Sequence, residues 1–147
     1  MRIHLALAGT AMALFLTLAS AEDTHVALIK DVTGSVTVLR AGTSMPAAAG
    51  TQLEKSDELV SAAGATAGIV FRDGTLFTLG SGSDVMIKDF LFDPVQARYA
   101  FSVYLARGSA IYSSGKIGKV SPDSVIVSTP KAVIGVRGTR FLVTATD

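Results

Sequence analysis

From residue 25 onward, apolar and polar positions alternate with a period of two, the spacing that sends successive side chains to opposite faces of a strand. Residues 26–29 form a short apolar run. After Gly34, residues 35–40 alternate, with Val36 and Val38 on one side and Ser35 and Thr37 on the other. Residues 41–46 read as turn chemistry around Gly42 and Pro46, and residues 47–50 as a loose stretch. Extended chain resumes at Leu53 and at Leu59 and Val60, around the polar knot Glu54-Lys55-Ser56-Asp57-Glu58, whose crowded charge reads as a solvated face. Residues 66–72 and 75–79 read as paired strands joined by Asp73-Gly74. That dipeptide favours a two-residue hairpin, because Asp73 tolerates the turn dihedrals and Gly74 supplies a positive φ. Residues 80–83 turn the chain, and 84–88 form another strand. Phe90, Leu91 and Phe92 close a core edge before Asp93-Pro94 breaks the path. Residues 98–105 are a long extended segment. Arg107-Gly108 reads as a turn into 109–112, residues 113–116 as a further turn, and 124–128 as the next strand. Tyr99 and Phe101 share one strand face and Tyr104 takes the other, which fits core and rim packing better than a sugar-stacking platform.

Short strands punctuated by glycine-rich turns, with no helix-period segment of useful length after the first 21 residues, predict an all-β single compact domain. A twisted β-sandwich, a small barrel and a short β-solenoid all fit. The expected core is Val36, Val38, Leu59, Ile69, Phe71, Leu76, Leu79, Val85, Ile87, Phe101, Val103, Leu105, Ile111, Val125, Val127, Ile134, Phe141 and Val143. A domain of about 125 residues buries most of its unfolded surface without staples.

The first 21 residues differ in kind. Arg2 begins a short positive start, residues 5–18 are apolar and helix-prone, and Ala19-Ser20-Ala21 is a small-residue cleavage site. This is the pattern of a secretory signal peptide, and the apolar run is shorter than the roughly 20 residues that span a bilayer. We therefore expect cleavage after Ala21, a domain over residues 22–147, no transmembrane segment in the mature chain, and a periplasmic or secreted destination. The chain has no cysteine, which excludes both a disulfide framework and a lipid-anchored cysteine after the leader.

The formal net charge is +1, so charge matters only through its position. Residues 22–97 hold ten acids against five bases, and residues 98–147 hold seven bases against two acids. The halves can neutralise each other across the fold, or the basic half can face an anionic partner. An exported, nearly neutral chain is not a nucleic-acid binder.

The segment Thr129-Pro130-Lys131-Ala132-Val133-Ile134-Gly135-Val136-Arg137-Gly138-Thr139-Arg140-Phe141 is the most informative in the chain. Glycine weakens a strand interior, so Gly135 and Gly138 inside a β-branched run imply a bend, bulge or close approach with Arg137 held between them. The guanidinium can pin neighbouring turns in its fork geometry, or contact an anion or partner, joined by Lys116, Lys119, Lys131 and Arg140 if the fold gathers them. Catalysis has little support. The mature chain has one histidine, His25, no G-x-S-x-G serine, and neither a phosphate-binding loop nor a dinucleotide fingerprint. Asp84, Asp89 and Asp93 lack the spacing of a calcium loop. No enzyme activity, metal or cofactor is expected.

Two stretches resemble one known family, the FecR domains. The first runs through Gly34-Ser35-Val36-Thr37-Val38, Gly50-Thr51-Gln52-Leu53, Asp57, Phe71-Arg72-Asp73-Gly74-Thr75, Leu79-Gly80, Ser83, Val85, Ile87 and Phe90. The second is the segment from Thr129 to Phe141, similar to the family's TP-x-A-x-IG-[IV]-RGT-x-F signature. The resemblance implies an all-β periplasmic module with a solenoid-like twist. Familiar members sense an outer-membrane transporter and pass the message to a cytoplasmic sigma factor. This sequence shows no anti-sigma helices before the domain and no further domain after it, so a stand-alone exported domain is expected and sigma-factor control does not transfer directly. The implied role is a non-catalytic protein-binding module in envelope signalling, with a transporter or membrane regulator as partner. The alternative is a structural or ligand-binding module recognising peptidoglycan or surface polysaccharide, an anionic cell-wall polymer.

Overall fold

The computed structural model describes residues 23–138 and 140–146. The signal-peptide segment lies outside the described residues. No helix among the described residues is long and apolar enough to cross a membrane. The chain runs through β1 (Ala27–Thr33), β2 (Val36–Arg40), β3 (Thr43–Pro46), β4 (Gln52–Leu53), β5 (Glu58–Ser61) and β6 (Thr66–Phe71). It continues through β7 (Leu76–Leu79), β8 (Asp84–Asp93), β9 (Arg98–Ser113), the short helix α1 (Lys116–Val120), a 3-10 turn (Pro122–Ser124), β10 (Val125–Ser128), β11 (Val133–Gly135) and β12 (Arg140–Ala145). The strands form one curled sheet in the order β3-β2-β5-β8-β9-β7-β6-β1-β4, with β10 and β12 also on β9 and β11 on β10. All pairs are antiparallel except β10 on β9. The all-β single domain is as the sequence implies.

The spine is β9. Its first half pairs with β8 on one side and β10 on the other, and its second half with β7 and β12. The sequence predicts a turn at Arg107-Gly108, but the strand passes straight through. Asp84 opposes Arg107 while Val85 opposes Leu105, so one residue, Ala106, is extra. Gly108 then takes φ +85°. A bulge of this kind bends a strand and shifts its inward phase by one residue. Phe101, Val103 and Leu105 face the core before it, and Ala110 and Tyr112 after it. Ile111, expected inside, is therefore half-buried, and Tyr112 takes its place. The second core correction is Leu76, which is exposed while Phe77 is buried. Leu76 and Leu79 cannot share a face at period two; Phe77 and Leu79 do.

The rest of the expected core is buried or packs against it. An aromatic chain links the two halves of the curl. The Phe71 ring lies 4.8 Å from Phe101, Phe101 lies 5.6 Å from Tyr112, and Tyr112 lies 5.1 Å from Phe141. Such pairs add about 0.5–1.5 kcal/mol each beyond the area they bury.

Two further sequence readings are corrected. Residues 41–46 are not all turn: only Ala41 and Gly42 turn, and Thr43–Pro46 returns as edge strand β3 beside β2. The polar knot is not simply a solvated face, since Asp57 is only 1% exposed. Its carboxylate accepts two hydrogen bonds from Arg40, at 2.9 and 2.7 Å, and one from the Glu54 N–H at 2.8 Å. Those bonds hold the Arg40 guanidinium above its ordinary pKa. The bend of the sheet is likewise tied by buried serines. Ser61 Oγ accepts the Ser83 N–H at 2.9 Å and donates to the Gly80 carbonyl at 2.6 Å. Ser83 Oγ accepts the Ser109 N–H at 2.9 Å.

Candidate functional site

The Asp73-Gly74-Thr75 turn is tighter to the rest of the fold than a plain hairpin. The Gly74 N–H donates to the Phe71 carbonyl, and the Phe71 N–H to the Thr75 carbonyl, both at 2.9 Å. The loop therefore holds three residues, Arg72 to Gly74, rather than the two expected, with Gly74 at φ +84°. That is the turn-plus-bulge form of a hairpin. Asp73 is 1% exposed. Its carboxylate accepts the Thr75 N–H at 3.0 Å, the Thr75 hydroxyl at 2.7 Å and the Ile117 N–H at 3.1 Å. Its carbonyl accepts the Lys116 N–H at 2.9 Å. One aspartate thus closes its own turn and satisfies the first N–H groups of α1, which has no side-chain cap of its own. Gly115 lets this happen, since a Cβ there would sit 2.8 Å from the Asp73 carbonyl oxygen.

The C-terminal segment is built differently. β10 and β11 form a hairpin in which Ser128 opposes Val133. Thr129 organises its turn: the N–H donates to the Ala132 carbonyl at 2.8 Å, and Oγ1 accepts the N–H groups of Ala132 at 3.1 Å and Lys131 at 3.3 Å. Lys131 is exposed at the tip of this turn. β11 lies at the sheet's edge and leaves Val133 exposed. Val136 then dips into the core, and Arg137 points out. The Arg137 side chain is 83% exposed, and its one ion-pair contact among the described residues is Asp123 Oδ1 at 3.4 Å. Of the pinning that the sequence allows, the described residues show this one carboxylate contact, and an exposed contact of this length contributes little. Gly138 follows at φ +150°, a conformation closed to most side chains. Gly135 has no such demand; an added Cβ would meet nothing within 4 Å. Thr139 lies outside the described residues. Arg140 opens β12 opposite Ser113 and is exposed.

Gly135, Val136 and Arg137 line a groove of about 310 Å³ with Pro122, Asp123, Val125 and Ile126. Lys116 and Lys119 do not join them there. They line a separate cavity with Phe92 and Tyr99, which no sequence motif marks. Of the aromatics considered in sequence, Phe101 is core, while Tyr99 packs at the rim beside Phe92. Among the described residues, no group of three or more His, Asp or Glu side chains is placed to hold a metal. Every buried side-chain nitrogen or oxygen among them has a hydrogen-bond partner.

A family model described as FecR protein matches residues 57–147, a span that takes in both the Asp73 turn and the Arg137 segment. No curated protein and no solved structure matches the chain.

Proposed function

The chain belongs to the FecR family, and from that premise we propose that it is an exported, non-catalytic module that binds an envelope protein in signalling. The family is one of signalling and regulatory domains. The observation that supports a binding role is the outward Arg137, set within the span that the family model matches, at the edge of the sheet, with one 3.4 Å contact to Asp123 among the described residues. A planar guanidinium with most of its donors open to solvent suits recognition of a carboxylate on a partner. β11 and β12, which flank it, are edge strands whose outer backbone groups can pair with an incoming strand. The partner on this reading is a transporter or membrane regulator, met in the periplasm or outside the cell.

The test is capture from an envelope extract with the processed protein and its Arg137→Ala variant as parallel baits. Recovery of one membrane protein by the first and not by the second supports the reading. Equal recovery by both removes Arg137 from the site. Retention of the protein on purified cell-wall polymer, with no membrane protein recovered, shifts the function to the polymer-binding alternative.

A further inference from the structure

The β8–β9 hairpin and α1 border an open cavity of about 320 Å³ lined by Phe92, Pro94, Tyr99, Lys116, Lys119 and Val120. It shares no lining residue with the Arg137 groove. The volume sits at the small end of the range for organic ligands. Its walls are apolar. The Phe92 and Tyr99 rings lie 6.1 Å apart at an interplanar angle of 39°, and both pack against the core. Two lysines from one short helix line the same cavity, and Lys116 Nζ lies 5.9 Å from the Phe92 ring centroid. Among the described residues, neither lysine has a carboxylate within ion-pair distance. Asp93, in the adjoining hairpin, is already bonded to Arg98 at 2.9 Å.

The walls are set before any ligand arrives. α1 is anchored through the Lys116 and Ile117 N–H groups to Asp73, so both lysines leave a fixed backbone. Less ordering is then needed on binding. The lining also discriminates among anions. Tyr99 is its one neutral residue with a hydrogen-bonding side chain. The hydroxyls of a sugar acid that turn toward this apolar wall would lose water without gaining partners, at a cost for each. An aromatic ring bearing one carboxylate has no such cost. Its ring can lie against Phe92 and Tyr99, and its charge can meet the lysines.

We propose that this cavity binds a small aromatic carboxylate. The inference is independent of the protein-binding role and would survive its failure. The experiment is calorimetric titration of the processed protein with 1-naphthoate, with its neutral analogue 1-naphthalenemethanol, and with galacturonate. Saturable 1:1 binding of naphthoate is expected, weakened about fivefold in Lys116→Gln and about fivefold in Lys119→Gln. The neutral alcohol should bind at least about fivefold more weakly, and galacturonate should not saturate. Both lysines are exposed, so the variants should fold, which a near-UV circular dichroism spectrum checks. The proposal is overturned by no saturable naphthoate binding to folded protein, by unchanged affinity in both lysine variants, or by galacturonate binding as tightly as naphthoate.

Discussion

Asp73-Gly74-Thr75 and Arg137-Gly138-Thr139 share one order of residue types, a charged residue, then glycine, then threonine, and both glycines have positive φ. The fold treats their charges in opposite ways. Asp73 is buried and its carboxylate accepts three hydrogen bonds, one of them from a helix 44 residues away in sequence. Arg137 stands in solvent with one long contact. The difference lies in what packs over each turn. α1 presents to Asp73 N–H groups that have no partner within the helix, whereas the exposed Asp123 is the one acid within ion-pair distance of Arg137 among the described residues. The span that the family model matches therefore holds both a buried charge tied into the fold and a charge left in solvent.

That contrast can be broken first at Asp73. Replacing it with alanine strands the Thr75 and Ile117 N–H groups, and we expect a loss of about 4 kcal/mol in urea unfolding. Amide exchange at Ile117 should rise more than at Leu59, because α1 loses its anchor while β5 does not. Equal rises at both would make the damage global and weaken the claim that Asp73 tethers α1.

The corner of β9 sharpens the picture of the buried side. An added Cβ at Gly108 would lie 2.6 Å from Ser83 Cα, on a backbone at φ +85°. Gly108→Ala should cost about 3 kcal/mol, again read by urea unfolding. A neutral result would mean that the bend does not depend on this close approach.

An intermediate case lies on the outer face. The Glu58 pKa is raised, chiefly by its hydrogen bond to Asp84 and then by burial, with Arg107 opposing. Folded Glu58 keeps its proton to higher pH than the unfolded chain does. Its contribution is fully present below the ordinary glutamate range and is lost as pH rises through the raised folded value. Glu58→Gln should therefore gain on the wild type as pH rises across that window. Because the pair is partly exposed, the gain should stay under about 0.5 kcal/mol. Thermal melts at several pH values test the sign; a variant that falls behind the wild type with rising pH would contradict it.

The strands were legible from the sequence because they announce themselves by alternation, and most of the core followed from it. What was not legible came from places where one extra residue or a remote partner decides the outcome. The bulge at Ala106 to Gly108 moves the inward phase from Leu105 to Ala110, so Tyr112 is buried and Ile111 is not. Nothing local to Arg107-Gly108 distinguishes a bulge from a turn. Asp57 looked solvated because its neighbours are charged, yet its partner, Arg40, comes from another strand. Asp73 could be read as a turn residue, but its bond to Ile117 could not, since that pairing exists only once β6, β7 and β9 have assembled. The Phe92 cavity escaped for the same reason: its residues come from two segments about 20 positions apart and follow no motif.

Urea unfolding of Arg137→Ala tests most directly whether the C-terminal motif is presented rather than used to hold the fold together. The stability should match the wild type within about 0.5 kcal/mol, as for an exposed side chain without strong partners. A loss of about 2 kcal/mol or more would place Arg137 among the residues that keep the fold, beside Asp73, and would contradict the account.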